Sequence, residues 1–281
     1  MKNAMQLKAL IKNIAKKKNV SAILVLQNYM LERFLERVSL SQYRDKYIIK
    51  GGFLISSMIG IDSRTTMDMD ATIKGYPVNK ESIQTMIENI ISISVEDNIN
   101  FQMNNIGEIR EGDEYTGYRV SLSANYEKMA VPLKLDITTG DIITPREIEY
   151  SYALMMEDRN IRVLAYNLST ILAEKLETVI SRGDQNTRPR DYYDIYILST
   201  VQSENIDIQS LHKALMATSE KRGSVNLLKQ YCTIMKNVKQ SEIMKRQWDL
   251  YRKEFSYASE IEFADTCSVV IAIMDKVLEC N

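Results

Sequence analysis

The chain has 281 residues, a net charge of −1, 45% hydrophobic and 26% charged residues. This composition is typical of a soluble globular protein. The chain is long enough to form one large domain or two ordinary ones. No uninterrupted apolar run approaches the ~20 residues that a membrane span requires. The single histidine, His212, leaves an ordinary zinc site without ligands and offers a Ser-His-Asp hydrolase only one base. Chemistry is therefore expected to rest on carboxylates, lysine and a metal.

Cysteine usage and the start of the chain predict the cellular compartment in which the protein resides. Cys232, Cys267 and Cys280 lie far apart without C-x-x-C spacing, which argues against a disulfide framework and for a reducing environment. The lysine-rich start is interrupted by charge and is not followed by a small-residue cleavage site, so it reads as a surface helix and not as a signal peptide. We expect a cytoplasmic protein without a membrane partner.

The positive charge is unevenly distributed. Residues 1–18 carry six lysines and no acid, and residues 211–253 carry ten lysines or arginines against three acids, a local charge of +7. This asymmetry is compatible with a face that binds a polyanion. It is equally compatible with a set of solvated helix faces, and spacing alone does not choose between the two.

Periodicity predicts alternating helices and strands in the first part of the chain. A helix, a short strand, a turn, a short helix and a second strand are predicted at residues 21–41, 46–50, 51–52, 53–60 and 67–73. A helix capped by Asn79 follows, and then three extended segments at residues 99–110, 115–126 and 129–140. Turn-forming residues 111–117 suggest that these three segments form a meander.

From about residue 160 the pattern becomes helical. A helix capped by Asn167 or Ser169 ends at Gly183, and further helical segments are predicted at residues 191–199, 207–220, 224–237, 239–254 and 259–278. The predicted fold is α/β (α+β), with a mixed-sheet core followed by a C-terminal helical bundle. The predicted domains are 1–160, including N-terminal helices, and 161–281.

Chemistry-bearing residues cluster around the second strand. In the segment MDMDATI, period-two alternation places Asp68 and Asp70 on one face. Two such carboxylates are suitable for magnesium, which commonly takes one or two carboxylates plus substrate phosphates. Gly51 and Gly52, between strand and helix, let backbone amides approach a phosphate. Asp136, on the polar face of a later strand, is a candidate third carboxylate. Each piece alone is weak, but the combination is specific.

The segment KGGFLISSMIG followed by RTTMDMD resembles the opening motif of the nucleotidyltransferase superfamily, which has a polymerase β-like fold. The form Gly-Gly and then R-x-T-x-D-x-D is similar to the AbiEii/AbiGii toxin branch, found in abortive-infection phage defence and type IV toxin–antitoxin systems. ILAEKLETVISRG is similar to the helical E-K motif of that branch, and RPRDYYDIYIL to its R-x-x-D-x-Y-D motif. These motifs cover residues 50–198, and the last eighty residues match only in being helical.

The resemblance implies roles for individual residues. It assigns nucleotide binding to Lys50, Gly51, Gly52, Ser56, Arg64 and Thr66. It assigns Mg²⁺ binding to Asp68, Asp70 and Asp136, of which Asp136 would also help to deprotonate the incoming hydroxyl. It gives catalytic roles to Lys175, which would neutralise phosphate charge, and to Asp191, which would position the nucleotide or the acceptor.

One residue departs from the superfamily pattern. Many members have serine or threonine directly after the glycines, whereas this chain has Phe53. A hydroxyl contact to phosphate is then missing unless Ser56 or Ser57 supplies it.

The helical motifs also have purely structural interpretations. Lys175 alone reads as an exposed helical lysine paired with Glu174 or Glu177. Asp191 and Asp194 are three residues apart on one helical face, where Arg188 or Arg190 could pair with them. Asp191 near a helix N-terminus is also favourable for the helix dipole.

The implied function is a toxin that moves a nucleoside monophosphate from an NTP to an RNA acceptor, the tRNA 3′ end by resemblance. Translation would be blocked, and a cognate antitoxin encoded nearby would relieve the block. The helical domain would complete the active-site cleft. Two alternatives stay open: transfer to a protein or small molecule, and a regulator that binds NTP without turnover.

Overall fold

The computed structural model describes residues 3–109 and 117–279. Its strands are β1 (Tyr47–Lys50), β2 (Asp68–Ile73), β3 (Asn100–Ile109), β4 (Gly117–Tyr126), β5 (Met129–Thr139), β6 (Ile148–Ala153) and β7 (Asn160–Ala165). Its first helices are α1 (Ala4–Lys18), α2 (Ala22–Leu40), α3 (Gly51–Ile59) and α4 (Lys80–Ile91). The later helices are α5 (Leu168–Arg182), α6 (Pro189–Val201), α7 (Ile208–Lys221), α8 (Val225–Leu228), α9 (Tyr231–Gln240), α10 (Glu242–Glu254) and α11 (Phe263–Leu278).

The strands form one mixed sheet in the order β3-β4-β5-β2-β1-β7-β6. The pairs β2–β5 and β1–β7 are parallel, and the other neighbouring pairs are antiparallel. This arrangement confirms the predicted α+β class and the meander of β3, β4 and β5. The predicted turn at 111–117 lies almost wholly outside the described residues, which resume at Gly117.

Side-chain alternation makes the sheet two-faced. Along β5, Leu133, Leu135 and Ile137 are buried, whereas Lys134 is exposed and Asp136 is partly exposed. Helix α2 packs against β5 and β7 on the apolar face. There the Phe34 ring makes edge contacts with the rings of two sheet residues, Tyr47 and Phe101. The hydrophobic effect therefore assigns one face to the core and leaves the polar residues of β2, β4 and β5 on the other.

Several boundaries differ from the sequence-based expectation. Helix α3 begins at Gly51, so the two glycines are its first residues and not a separate turn. Asn167, and not Ser169, caps α5 by accepting a hydrogen bond from the Thr170 amide. The segment predicted at 224–237 is divided into α8 and α9. Strand β6 was not predicted, although Ile148 and Tyr150 alternate there with Glu149 and Ser151.

The chain divides into two compact units. One comprises Met1–Asp141 and Ile148–Ala165, and the other Ile142–Glu147 and Tyr166–Asn281. The division falls five residues after the predicted one, because β7 pairs with β1 and β6 and so belongs with the sheet. No helix within the described ranges has the length and hydrophobicity to span a bilayer. Cys232 and Cys267 are free thiols, and Cys280 lies outside the described residues.

Helix α2 buries charged side chains as well as apolar ones. Arg33 lies 2.8 Å from the Glu32 carboxylate and 2.6 Å from that of Glu157, in the segment between β6 and β7. The Met155 amide donates a 2.6 Å hydrogen bond to the other Glu32 oxygen. Arg37 donates to the Asp97 carboxylate from both its Nη1 and Nη2 atoms. These contacts satisfy charges that would otherwise be costly to bury.

Glu32 makes stability depend on pH. Burial raises its pKa from 4.5 to about 7, against the lowering effect of the Arg33 charge. Between about pH 4.5 and pH 7 the folded protein therefore keeps a proton that the unfolded chain has lost, and the free energy of unfolding falls as pH rises through this range. We expect a loss of about 2 kcal/mol between pH 5 and pH 7 in urea unfolding. Glu32→Gln should remove most of this loss, and an unchanged pH dependence in that variant would contradict the assignment.

Candidate active site

The acidic residues of β2 and β5 share one face of the sheet. Asp70 pairs in register with Asp136 of the parallel strand β5, and Asp68 pairs with Lys134. Register partners on neighbouring strands project to the same side, and residues two apart on one strand do so as well. The structure thus brings Asp68, Asp70 and Asp136 onto a common face, opposite the one that α2 covers.

The double glycine contacts this face directly. Gly51 has φ +65°, and a Cβ built there would lie 2.1 Å from Asp70 Oδ2. At Gly52 a Cβ would lie 3.0 Å from Arg64 Nη2 and 3.1 Å from Thr66 Oγ1. The Gly-Gly and R-x-T-x-D-x-D motifs therefore belong together for a steric reason: the second motif occupies the space that side chains at Gly51 and Gly52 would need.

The segment before β2 is held in place by buried contacts. Arg64 and Thr66 are almost fully buried, and the Arg64 guanidinium donates to the Thr65 carbonyl. The Thr66 hydroxyl donates to the Asp68 carbonyl, and Asn28 of α2 donates a 2.7 Å hydrogen bond to the Thr66 carbonyl. In this structure both predicted nucleotide-binding residues support the loop that leads into Asp68.

Lys50 lies on β1, which pairs with β2 on the side away from β5. It pairs in register with Asp70, and its ammonium group contacts the Asp141 carboxylate and lies 2.8 Å from Thr138 Oγ1. Its side chain is 10% exposed. Lys50 therefore supplies positive charge next to the acidic row, although sequence reasoning did not identify Asp141 or Thr138 as its partners.

The residues after the double glycine are engaged in packing. The Phe53 ring stacks on the Tyr152 ring of β6, with centroids 5.6 Å apart and planes inclined by 8°. Ser56 is buried, and the Ser57 hydroxyl donates to the Leu54 carbonyl and lies 3.1 Å from the Tyr150 hydroxyl. A phosphate contact from Ser56 or Ser57 stays a prediction.

Asp136 has a partner that no motif indicated. Arg119 of β4 donates from Nε to Asp136 Oδ1 at 2.8 Å and from Nη2 to Oδ2 at 2.7 Å. This hydrogen bond, together with the Asp136 charge, raises the pKa of Arg119, and the charges of Asp68 and Asp70 add to the effect. Arg119 escaped sequence reasoning because a single charged residue on the polar face of a strand carries no signal until the register is known.

The donor set is suitable for a hard divalent cation. Asp68, Asp70 and Asp136 offer only oxygen atoms, which Mg²⁺ prefers. Because Gly51 has no side chain, its backbone can lie close to the Asp70 carboxylate. Within the residues that the structure describes, no three acidic, histidine or cysteine side chains are grouped closely enough to hold an ion together. Asp136 is bound to Arg119 instead, so Asp68 and Asp70 are the pair that fits the ion best.

The helical unit contains an acidic cluster of its own. The Lys175 ammonium of α5 lies 3.0 Å from Asp191 Oδ1 and 2.7 Å from Asp194 Oδ2, both on α6. The Lys175 side chain is 14% exposed and that of Asp194 is fully buried. The interpretation of Lys175 as an exposed lysine is therefore wrong, and its carboxylate partners on α6 were not foreseen. Glu174 and Glu177 both pair with Arg222.

Comparison with known proteins identifies the family. A family model described as "Nucleotidyl transferase AbiEii toxin, Type IV TA system" matches residues 33–267. The chain belongs to the AbiEii nucleotidyl transferase toxin family. This assignment confirms the resemblance found in the motifs and the prediction of an enzyme. No curated protein matches the chain.

One of two similar solved structures supports the fold. A protein described as a "putative nucleotidyltransferase from H. pylori" is similar at a TM-score of 0.50 and 16% identity, covering 93% of this chain and 99% of its own. JHP933 from Helicobacter pylori has a TM-score of 0.49 and 16% identity, with coverages of 92% and 95%. At this identity the first likeness supports the fold, and the AbiEii assignment rests on the family match.

The effect of the contact between Gly51 and Asp70 on stability can be measured separately from the effect of backbone strain. Gly75 has nearly the same φ, +67°, but a Cβ there meets nothing within 4 Å. Both Gly51→Ala and Gly75→Ala pay the cost of a left-handed residue, about 1–2 kcal/mol. We expect Gly51→Ala to lose about 1–3 kcal/mol more in urea unfolding, and to lose nucleotidyl transfer, because Asp70 must move. Equal losses in both variants would show that the close approach is unimportant.

Removing the Lys175 cation distinguishes a structural from a catalytic role. Lys175→Met leaves two buried carboxylates without this charge, and we expect a loss of about 3 kcal/mol in unfolding free energy. Lys213→Met, at an exposed lysine of α7, is the matched control and should change little. If Lys175 acts only in folding, transfer activity per folded molecule should stay at the level of the control. If it also acts in catalysis, that specific activity should fall.

Proposed function

We propose that this AbiEii-family protein transfers a nucleoside monophosphate from an NTP to the 3′ hydroxyl of an RNA, with tRNA as the acceptor, and that the reaction requires Mg²⁺. The observation that carries the proposal is the register of Asp70 with Asp136, beside glycines whose missing side chains make room for the acidic strand. The tRNA acceptor rests on the resemblance alone.

The proposed chemistry uses the acidic face as follows. The acceptor hydroxyl oxygen bonds to the α-phosphorus of the NTP, the bond from that phosphorus to the bridging oxygen breaks, and pyrophosphate leaves. Asp136 accepts the proton of the attacking hydroxyl. Asp68 and Asp70, with Asp136 as the third ligand, would hold a divalent cation, which would supply activation of the hydroxyl and stabilisation of the departing charge. The Gly51 and Gly52 amides, at the N-terminus of α3, bind phosphate oxygens.

Residues of the helical unit also enter the proposal. We assign Lys175 and Asp191 to the same reaction because they match the family's motifs, with Lys175 neutralising phosphate and Asp191 orienting nucleotide or acceptor. Lys175 is in contact with two carboxylates in this structure, so this role requires that it exchange one of them for a phosphate.

An RNA acceptor accords with exposed positive charge on α1. The helix buries Leu7, Ile11 and Ala15 and leaves its lysines outside: Lys8, Lys12, Lys16 and Lys17 are all exposed. Such a row can contact a phosphate backbone in a salt-dependent way. Transfer that blocks tRNA use would stop translation, and an antitoxin encoded nearby would relieve growth arrest.

The decisive assay supplies each α-labelled NTP with Mg²⁺ to the protein and total RNA-containing lysate. Label should enter RNA and be released by ribonuclease. Asp70→Asn should lower transfer on the order of 10²-fold or more, because the variant removes a full charge from the cation site. Asp45→Asn, at an exposed surface aspartate, is the control and should retain activity.

The same assay separates the alternatives. Label released by protease and not by ribonuclease would replace RNA by a protein acceptor. Magnesium-dependent NTP binding without transfer to any acceptor would indicate a regulator. An Asp70→Asn variant that still arrests growth fully would contradict the catalytic proposal.

A further inference from the structure

Arg119 is a charged residue on the acidic face that no motif assigns. It lies on β4 directly opposite Asp136, with which it is in register. Its Nε and Nη2 atoms each donate to a different oxygen of that carboxylate, at 2.8 and 2.7 Å. This two-point geometry is the strongest form of an arginine–carboxylate contact.

A row of four charged residues crosses the sheet at this level. Register pairs connect Arg119 with Asp136, Asp136 with Asp70, and Asp70 with Lys50. Two carboxylates are thus flanked by two cations on adjacent strands. Because like charges side by side are destabilising, the flanking cations stabilise the acidic pair in the protein as it stands.

The two flanking cations differ in accessibility. The Lys50 side chain is 10% exposed and is held by Asp141, whereas that of Arg119 is 46% exposed. A half-exposed guanidinium loses little packing when it moves, and it can exchange a carboxylate for another bidentate anion such as phosphate. Of these two cations, Arg119 can therefore release its carboxylate partner at the smaller cost in free energy.

We propose that Arg119 is a positioning residue that holds Asp136 before the cation and nucleotide arrive and competes with the divalent cation for that carboxylate. The inference rests on the proposed function. While both Asp136 oxygens accept from Arg119, the carboxylate is neutralised and is a poorer cation ligand. When a triphosphate engages the guanidinium, Asp136 becomes available to the cation and to the proton of the acceptor hydroxyl.

Cation binding without nucleotide tests this directly. Mn²⁺, another oxygen-preferring ion, is titrated into the full chain, and free Mn²⁺ is followed by electron paramagnetic resonance. Arg119→Gln should bind Mn²⁺ about fivefold more tightly than the wild type, which corresponds to the loss of a competing ion pair worth about 1 kcal/mol. Arg119→Lys keeps the charge but not the two-point geometry, and its affinity should lie between those of the wild type and Arg119→Gln.

A matched control separates competition from general electrostatics. Lys134→Gln removes one positive charge from the same face, opposite Asp68 and two residues from Asp136. It should tighten Mn²⁺ binding less than Arg119→Gln does. In an Asp136→Asn background, Arg119→Gln should tighten binding no more than Lys134→Gln does, because the carboxylate for which the two cations compete is absent.

The outcomes are distinct. Tighter Mn²⁺ binding by Arg119→Gln that falls to the level of Lys134→Gln in the Asp136→Asn background supports the proposal, even if the wild type binds too weakly to measure. Asp70-dependent binding that Arg119→Gln leaves unchanged or weakens overturns the role of Arg119 and leaves the proposed function standing. Equal tightening by Lys134→Gln also overturns it. Failure of both the wild type and Arg119→Gln to bind Mn²⁺ overturns the role of Arg119, whereas the proposed function is decided separately by the labelled-NTP assay.

Discussion

The close approach of Asp70 to the backbone of Gly51 is the constraint on which the acidic site depends. An Asp70 carboxylate oxygen lies 2.1 Å from the place that a Cβ at position 51 would take, and φ at Gly51 is positive as well. Both conditions require glycine. This contact joins the end of β1, the start of α3 and the middle of β2. Two motifs nearly twenty residues apart in sequence thus act as one steric unit.

The two-faced sheet explains why the carboxylates can be adjacent without unfolding the unit. Helix α2 covers the apolar face, where Phe34 packs on Tyr47 and Phe101. The carboxylates of Asp70 and Asp136 project from the other face, and cations on neighbouring strands balance them. Burial of apolar area on one side therefore supports a concentration of charge on the other that no isolated strand could sustain.

Paired charge is a recurring feature of both units. Arg119 binds Asp136 in the sheet unit, and Lys175 binds Asp191 and Asp194 in the helical unit. In each case a residue expected to interact with a cation or a phosphate is already neutralised by the protein. In the proposed reaction a phosphate-rich substrate would replace these intramolecular partners, so its binding would be coupled to rearrangement of side chains within each unit.

Local pattern was sufficient for much of this protein. Apolar repeats predicted α2, α3, α4 and the later helices, alternation predicted β2 and β5 with their aspartates facing one way, and the motifs carried the AbiEii resemblance that the family match confirmed. These features depend on residues close in sequence, where periodicity and steric limits act directly. The pairing of β5 with β2, the partners of Lys175 and the Arg119–Asp136 contact were not accessible in this way. They arise from strand register and helix packing between distant segments, where one residue of slip would turn every side chain to the opposite face.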